Sequence, residues 1–154
     1  MENKKVLLNG KQIFTGVRII KKLNIKDDLI RLFGELSSLQ KKYQSTNTEL
    51  LAKLKDKEYT KENIQKVFDK DKELEKKYDQ LQTKQENLVF EVVYLIIEHI
   101  DSAENEIFKL LAEVYKENAE ELKNNPELGE ELIPMIIGII KSESFQKVFS
   151  FISK

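Results

Sequence analysis

The sequence predicts a mainly α-helical bundle with a short N-terminal β-hairpin and a charged helical-hairpin middle. Five Gly and two Pro in 154 residues leave too few special backbone positions for a turn-rich β fold. Apolar residues recur at three- and four-residue spacing along most of the chain, the period of an amphipathic helix. The exception is Asn9-Gly10, which lies between two short runs holding Val, Ile and Phe and signals a two-residue hairpin turn.

A hairpin over residues 1–15 is too small to be stable in water alone. Its apolar side chains Val6, Leu8, Ile13 and Phe14 must therefore dock on helices or on another copy of the chain. Residues 16–59 read as helices. Val17, Ile19, Ile20 and Leu23 form a first apolar face, and Asn24 is placed to cap a second helix whose first turn carries Asp27 and Asp28. Leu29, Ile30, Leu32, Phe33, Leu36, Leu39 and Tyr43 continue at helical spacing. Residues 44–48 either interrupt that helix or lie on its exposed surface.

A long helix is expected over residues 60–100, with Thr60 as N-cap. Val67, Leu74, Leu81 and Leu88 are each seven apart, an intact heptad row. The companion row, Ile64, Asp71, Tyr78 and Gln85, is only half apolar. Such a narrow seam suits a helical hairpin with the preceding arm, or an intermolecular coiled-coil contact. Residues 88–100 are apolar on most sides, as in the central helix of a bundle.

Short helices are expected over residues 101–154. Asp101 with Glu104 resembles a capping box, and Asn118 with Glu121 repeats the device ahead of Asn124-Asn125-Pro126. Pro134 is tolerable only in a first turn or at a kink. Ser142 or Ser144 caps a last helix. One domain, 1–154, is the expected organisation.

Composition limits the function classes. With 26 Lys and Arg against 27 Asp and Glu, the net charge is −1, so no bulk excess favours nucleic acid or an anionic membrane. The net value hides a division: residues 1–85 carry 20 basic and 13 acidic side chains, residues 86–154 carry 6 and 14. Opposite halves attract within one fold, or steer copies into head-to-tail pairs. Two Arg and no stacking platform argue against base readout. The apolar run Val6-Leu7-Leu8 ends at Asn9-Gly10, so no signal peptide is expected. The 13-residue apolar stretch at 88–100 is shorter than the roughly 20 residues a bilayer helix needs.

Without Cys, and with His99 as its single His, the chain offers no metal-ligand pattern. It has no phosphate loop, dinucleotide turn, nucleophile elbow or His-Glu-x-x-His pair. No catalytic residue, cofactor or metal is therefore assigned. The chemistry that remains is apolar. Met135, Ile136, Ile139, Phe145, Val148, Phe149 and Ile152 cover more than one helix face; either neighbouring helices bury them all, or they leave a groove for a partner helix. Candidate self-association residues are Val6, Leu8, Ile13 and Phe14 of the hairpin and Val67, Leu74 and Leu81 of the heptad row.

The order of Leu8-Asn9-Gly10-Lys11, then residues 18–27 (RIIKKLNIKD), a charged middle and residues 106–114 (EIFKLLAEV) resembles the tail assembly chaperones of long-tailed bacteriophages and prophages of low-GC Gram-positive bacteria. The likeness extends to a short acidic helix at 118–122 and a closing apolar helix with Phe at 145–152; the Lys/Glu-rich stretch 53–85 is longer than in compact members. The resemblance implies a non-enzymatic protein of the bacterial host cytoplasm. It would bind the aggregation-prone tape measure protein, keep it soluble and help recruit tail tube subunits. The competing expectation is a helical adaptor or regulatory protein that dimerises through a coiled-coil-like arm.

Overall fold

A computed structural model describes the backbone of residues 5–152 and the side chains of residues 5–149. Helices α1 (Gly10–Leu23), α2 (Lys26–Leu54), α3 (Lys61–Lys70), α4 (Lys72–Glu98), α5 (Glu104–Tyr115), α6 (Ala119–Asn124), α7 (Pro126–Ile140) and α8 (Glu143–Ile152) follow in order, with a 3-10 turn at Ile100–Ser102. No strand occurs among the described residues.

The expected N-terminal hairpin is replaced by the start of α1. Asn9 is an N-cap whose side chain accepts from the Gln12 N–H at 2.9 Å, while the Gln12 side chain accepts from the Asn9 N–H at 3.0 Å. This reciprocal capping box satisfies two donors that a new helix leaves open. A two-residue hairpin turn of the Asn-Gly type needs positive φ at both central residues, and neither Asn9 nor Gly10 has it. The same Asn-Gly pair can start a helix or turn a hairpin, and Gln12 decides for the helix.

Other helix ends follow local chemistry with two further corrections. Asn24 does not cap α2. It ends α1 in the left-handed region at φ 55°, its N–H donating to the Lys21 carbonyl, a conformation Asn tolerates better than most residues. Asp101 lies in the 3-10 turn, and α5 begins at Glu104 after Ala103, which offers no side-chain cap. Thr60, Asn118 and Ser142 cap as the sequence indicates: each accepts from backbone N–H groups at the head of its helix. Residues 44–48 remain helical within α2.

The helix expected over 60–100 is broken at Asp71. Its backbone leaves the helical region, its N–H closes α3 on the Val67 carbonyl, and its carboxylate accepts from the Leu74 N–H at 3.0 Å to open α4. The Lys53 ammonium pairs with the same carboxylate.

Contacts divide the chain into two compact units. The first comprises residues up to 34 together with those from 89 onward; the second comprises residues 35–88. In the second unit, Leu50 and Leu54 of α2 bury against Leu74 of α4, with Ile64, Val67, Phe68 and Tyr78 packed around them. Its heptad row therefore serves an intramolecular helical hairpin. Tyr59 and Tyr78 both donate to Asn47 Oδ1, at 3.0 and 2.8 Å, tying the loop and α4 to α2.

In the first unit, α5 packs against α1, α6 and α7. Ile19, Ile20 and Leu23 of α1 join Ile107, Leu110 and Leu111 of α5 and Ile136, Ile139 and Ile140 of α7 in the core. Two glycines let helices approach. A Cβ on Gly16 would meet the Phe145 ring at 3.1 Å, and one on Gly138 would collide with the Tyr115 hydroxyl. That hydroxyl donates to the Met135 carbonyl at 2.7 Å, so the small Gly138 admits the bond that ties α5 to α7. Pro134 stands inside α7, beyond its first turn, where its ring removes one helical N–H.

Candidate interaction surface

The C-terminal residues expected to form a partner groove are mostly core. Met135, Ile136, Ile139, Phe145 and Phe149 are buried, Phe149 to 2% exposure; Val148 is half-buried and the Ile152 side chain lies outside the described residues. Phe33 explains the burial of the two rings. It stacks on Phe149 at 4.6 Å between centroids and meets Phe145 edge-on at 6.0 Å. Of the two readings the sequence left open, burial by neighbouring helices holds for Met135, Ile136, Ile139, Phe145 and Phe149.

Ile136, Ile139 and Phe145 do line one partly open apolar pocket of about 60 Å³, with Gly16, Ile19, Leu23, Ile96 and Ile107 among its walls. Ligand sites usually occupy roughly 300–1,000 Å³ and present a few oriented polar groups. This pocket has no polar lining. It is a packing gap between α1, α5, α7 and α8.

The self-association residues are divided by the fold. Leu8 is buried, and Val6 and Ile13 are half-buried. Leu74 is buried and Val67 half-buried within the second unit's core, and Leu81 is half-buried. These positions do not form one exposed seam. Phe14 is different: it is 70% exposed on α1, next to exposed Val17.

The largest exposed apolar feature of α4 was not singled out from sequence. Phe90, Tyr94 and Ile97 are 59%, 66% and 41% exposed, and their i, i+4, i+7 spacing places them in one stripe along the helix. Val89, Val92 and Val93 turn the other way and are buried. Glu91 and Glu98 flank the stripe and are exposed. The sequence did carry a signal: in a helix surrounded by core, those two carboxylates would be buried without partners, so their positions mark the solvent side.

Titratable groups elsewhere are ordinary surface pairs. Hydrogen bonds from Lys66 to Glu62, from Lys22 to Glu106, and from Lys147 and Lys5 to Glu143 hold these three carboxyls below the usual carboxylate range. That is the direction opposite to a general acid working near neutrality. His99 is exposed, with Nδ1 3.0 Å from the Leu95 carbonyl. No group of three or more potential metal-ligating side chains occurs among the described residues. Among the same residues no helix is long and apolar enough to cross a membrane.

The geometry therefore offers an exposed surface feature rather than a pocket: an apolar stripe of Phe90, Tyr94 and Ile97 along α4, edged by carboxylates. No protein-family model matches the chain, and no curated protein or solved structure shows significant similarity to it.

Proposed function

We propose that this chain is a non-catalytic binding protein that receives a helical partner on the Phe90, Tyr94 and Ile97 stripe. The observation that carries the reading is the exposure of those three side chains on one helix face. Fully burying a large apolar side chain contributes about 1.5–3 kcal/mol, so a stripe of three is sufficient to anchor an amphipathic helix once ordering costs are met. Glu91 and Glu98 at its edge favour a partner helix whose own apolar face is bordered by Lys or Arg.

The partner we assign is the tape measure protein of a long-tailed phage, with the chain acting as a tail assembly chaperone in the bacterial host cytoplasm and helping to recruit tail tube subunits. That assignment rests on the sequence resemblance described above. The physical fit is general. A long, helical, aggregation-prone client needs its apolar faces covered before assembly, and an exposed stripe can do so without catalysis. The adaptor alternative draws on the 64–88 arm, but Leu74 and Val67 pack inward there, which leaves that arm little apolar surface for a second chain.

Co-expression with a tape measure protein tests the reading. Soluble client that co-purifies with the chain, and loses that partner when Phe90→Asp and Tyr94→Asp are introduced together, is the expected result. A client equally insoluble with and without the chain would contradict it.

A further inference from the structure

Two exposed helix faces of the first unit carry the same spacing with opposite charge. On α1 the series is Lys11, Phe14, Val17, Arg18, Lys21; on α4 and the turn after it the series is Glu91, Tyr94, Ile97, Glu98, Asp101. Each places an aromatic three residues after the first charge, an aliphatic three later, a charge immediately following, and a last charge three beyond. All ten side chains are exposed. The aromatics Phe14 and Tyr94 are among the most exposed large apolar side chains described, so the two faces do not cover each other within one molecule.

The charges at these faces are largely without partners. Lys11 reaches Glu113 only at 4.0 Å, and Arg18 donates to the Thr15 hydroxyl at 3.3 Å. Among the described residues Lys21, Glu91, Glu98 and Asp101 form no ion pair. The opposite side of α1 is fixed on α5 through Ile19, Ile20 and Leu23, which holds the basic face outward in a defined orientation.

We propose that the α1 face of one copy docks on the α4 face of a second copy of this chain, apolar stripe on apolar stripe with the charges paired at the edge. Docked antiparallel, the two charged edges lie on the same side, and Lys11 meets Glu98 while Arg18 meets Glu91. Complementary edges set partner choice and association rate, while the desolvated stripe supplies the contact. The contact also covers aromatic surface that would otherwise invite non-specific association. It goes beyond the client reading and stands independently of it, although both use the α4 stripe; a client helix would compete with α1 of the neighbouring copy.

The test uses the purified full chain and sedimentation velocity, so a failure of client binding leaves its outcome unaffected. One variant carries Arg18→Glu with Lys21→Glu, and the other carries Glu91→Lys with Glu98→Lys; circular dichroism checks that both keep the parental helicity. The parent should sediment above monomer mass at low salt and shift toward monomer as salt rises. Either variant alone should associate at least about tenfold more weakly, because like charges then face each other. Mixing the two variants should restore association, since each supplies the face the other has lost. A parent that is monomeric at all salt concentrations would overturn the proposal. So would association that the reversals leave unchanged, or variants that stay apart when mixed.

Discussion

At the residue scale, contrasting glycines in α7 expose the packing logic. Gly138 holds open the space through which the Tyr115 hydroxyl reaches the Met135 carbonyl, whereas a Cβ on Gly129 would meet nothing within 4 Å. Gly138→Ala should destabilise by about 1–3 kcal/mol, the usual cost of forcing atoms into a packed site. Gly129→Ala should instead stabilise by roughly 0.5–1 kcal/mol through helix propensity. Chemical denaturation of both variants checks the opposite signs.

Tyrosine ionisation gives a second test at this scale. Burial chiefly, and then the neighbouring Tyr59 and Tyr43, pushes the Tyr78 phenol well above its ordinary value; burial raises Tyr115 as well. A group whose folded pKa exceeds its unfolded value of about 10 contributes stability that is fully present below that pH and lost as pH rises toward the folded value. Thermal unfolding should therefore be insensitive to these groups near neutrality and weaken above about pH 10. Tyr78→Phe should reduce the alkaline fall; an unchanged profile would remove Tyr78 as its source.

At the element scale, the second unit depends on a small core. Leu74 is buried against Leu50 and Leu54, so Leu74→Ala should cost about 2–5 kcal/mol. Hydrogen exchange should show the loss in α3 and the first half of α4. Protection unchanged there would mean that the three leucines do not hold this unit together.

Elements differed in how much their residues revealed. Thr60, Asn118 and Ser142 act through hydrogen bonds spanning two or three residues, so a local window contains the whole cause. Asn9-Gly10 was ambiguous because hairpin turn and helix cap use the same residue types, and the Gln12 reciprocal bond chose between them. The break at Asp71 interrupts an apparently continuous heptad, because one Asp can both end α3 and open α4. The C-terminal apolar residues left burial and groove both open for a different reason. Apolar content identifies Phe145 and Phe149 but not Phe33, the ring that covers them; which apolar face is covered depends on tertiary contacts between residues far apart in sequence.

At the scale of the whole molecule, the opposite charge of the two halves takes concrete form in the first unit. Basic α1 and the acidic edge of α4 carry opposite charge, and Met135, Ile136, Ile139, Phe145 and Phe149 near the C-terminus are buried in the core. Among the exposed apolar side chains, Phe90, Tyr94 and Ile97 form one helical stripe, the surface proposed to take a helix from a client or from a second copy. Client binding and self-association are both proposed to use this one surface, so reducing its apolar character should weaken them together. Charge reversal on α1 should weaken self-association and, by freeing the α4 stripe from the neighbouring copy, should not weaken client binding.

The central claim is that Phe90, Tyr94 and Ile97 are the protein-binding face. The most direct measurement is co-purification of tape measure protein with the parent chain and with a Phe90→Asp, Tyr94→Asp variant whose helicity matches the parent. The account predicts soluble complex with the parent and loss of at least about tenfold in bound client with the variant. Equal recovery of client by the two proteins would contradict it.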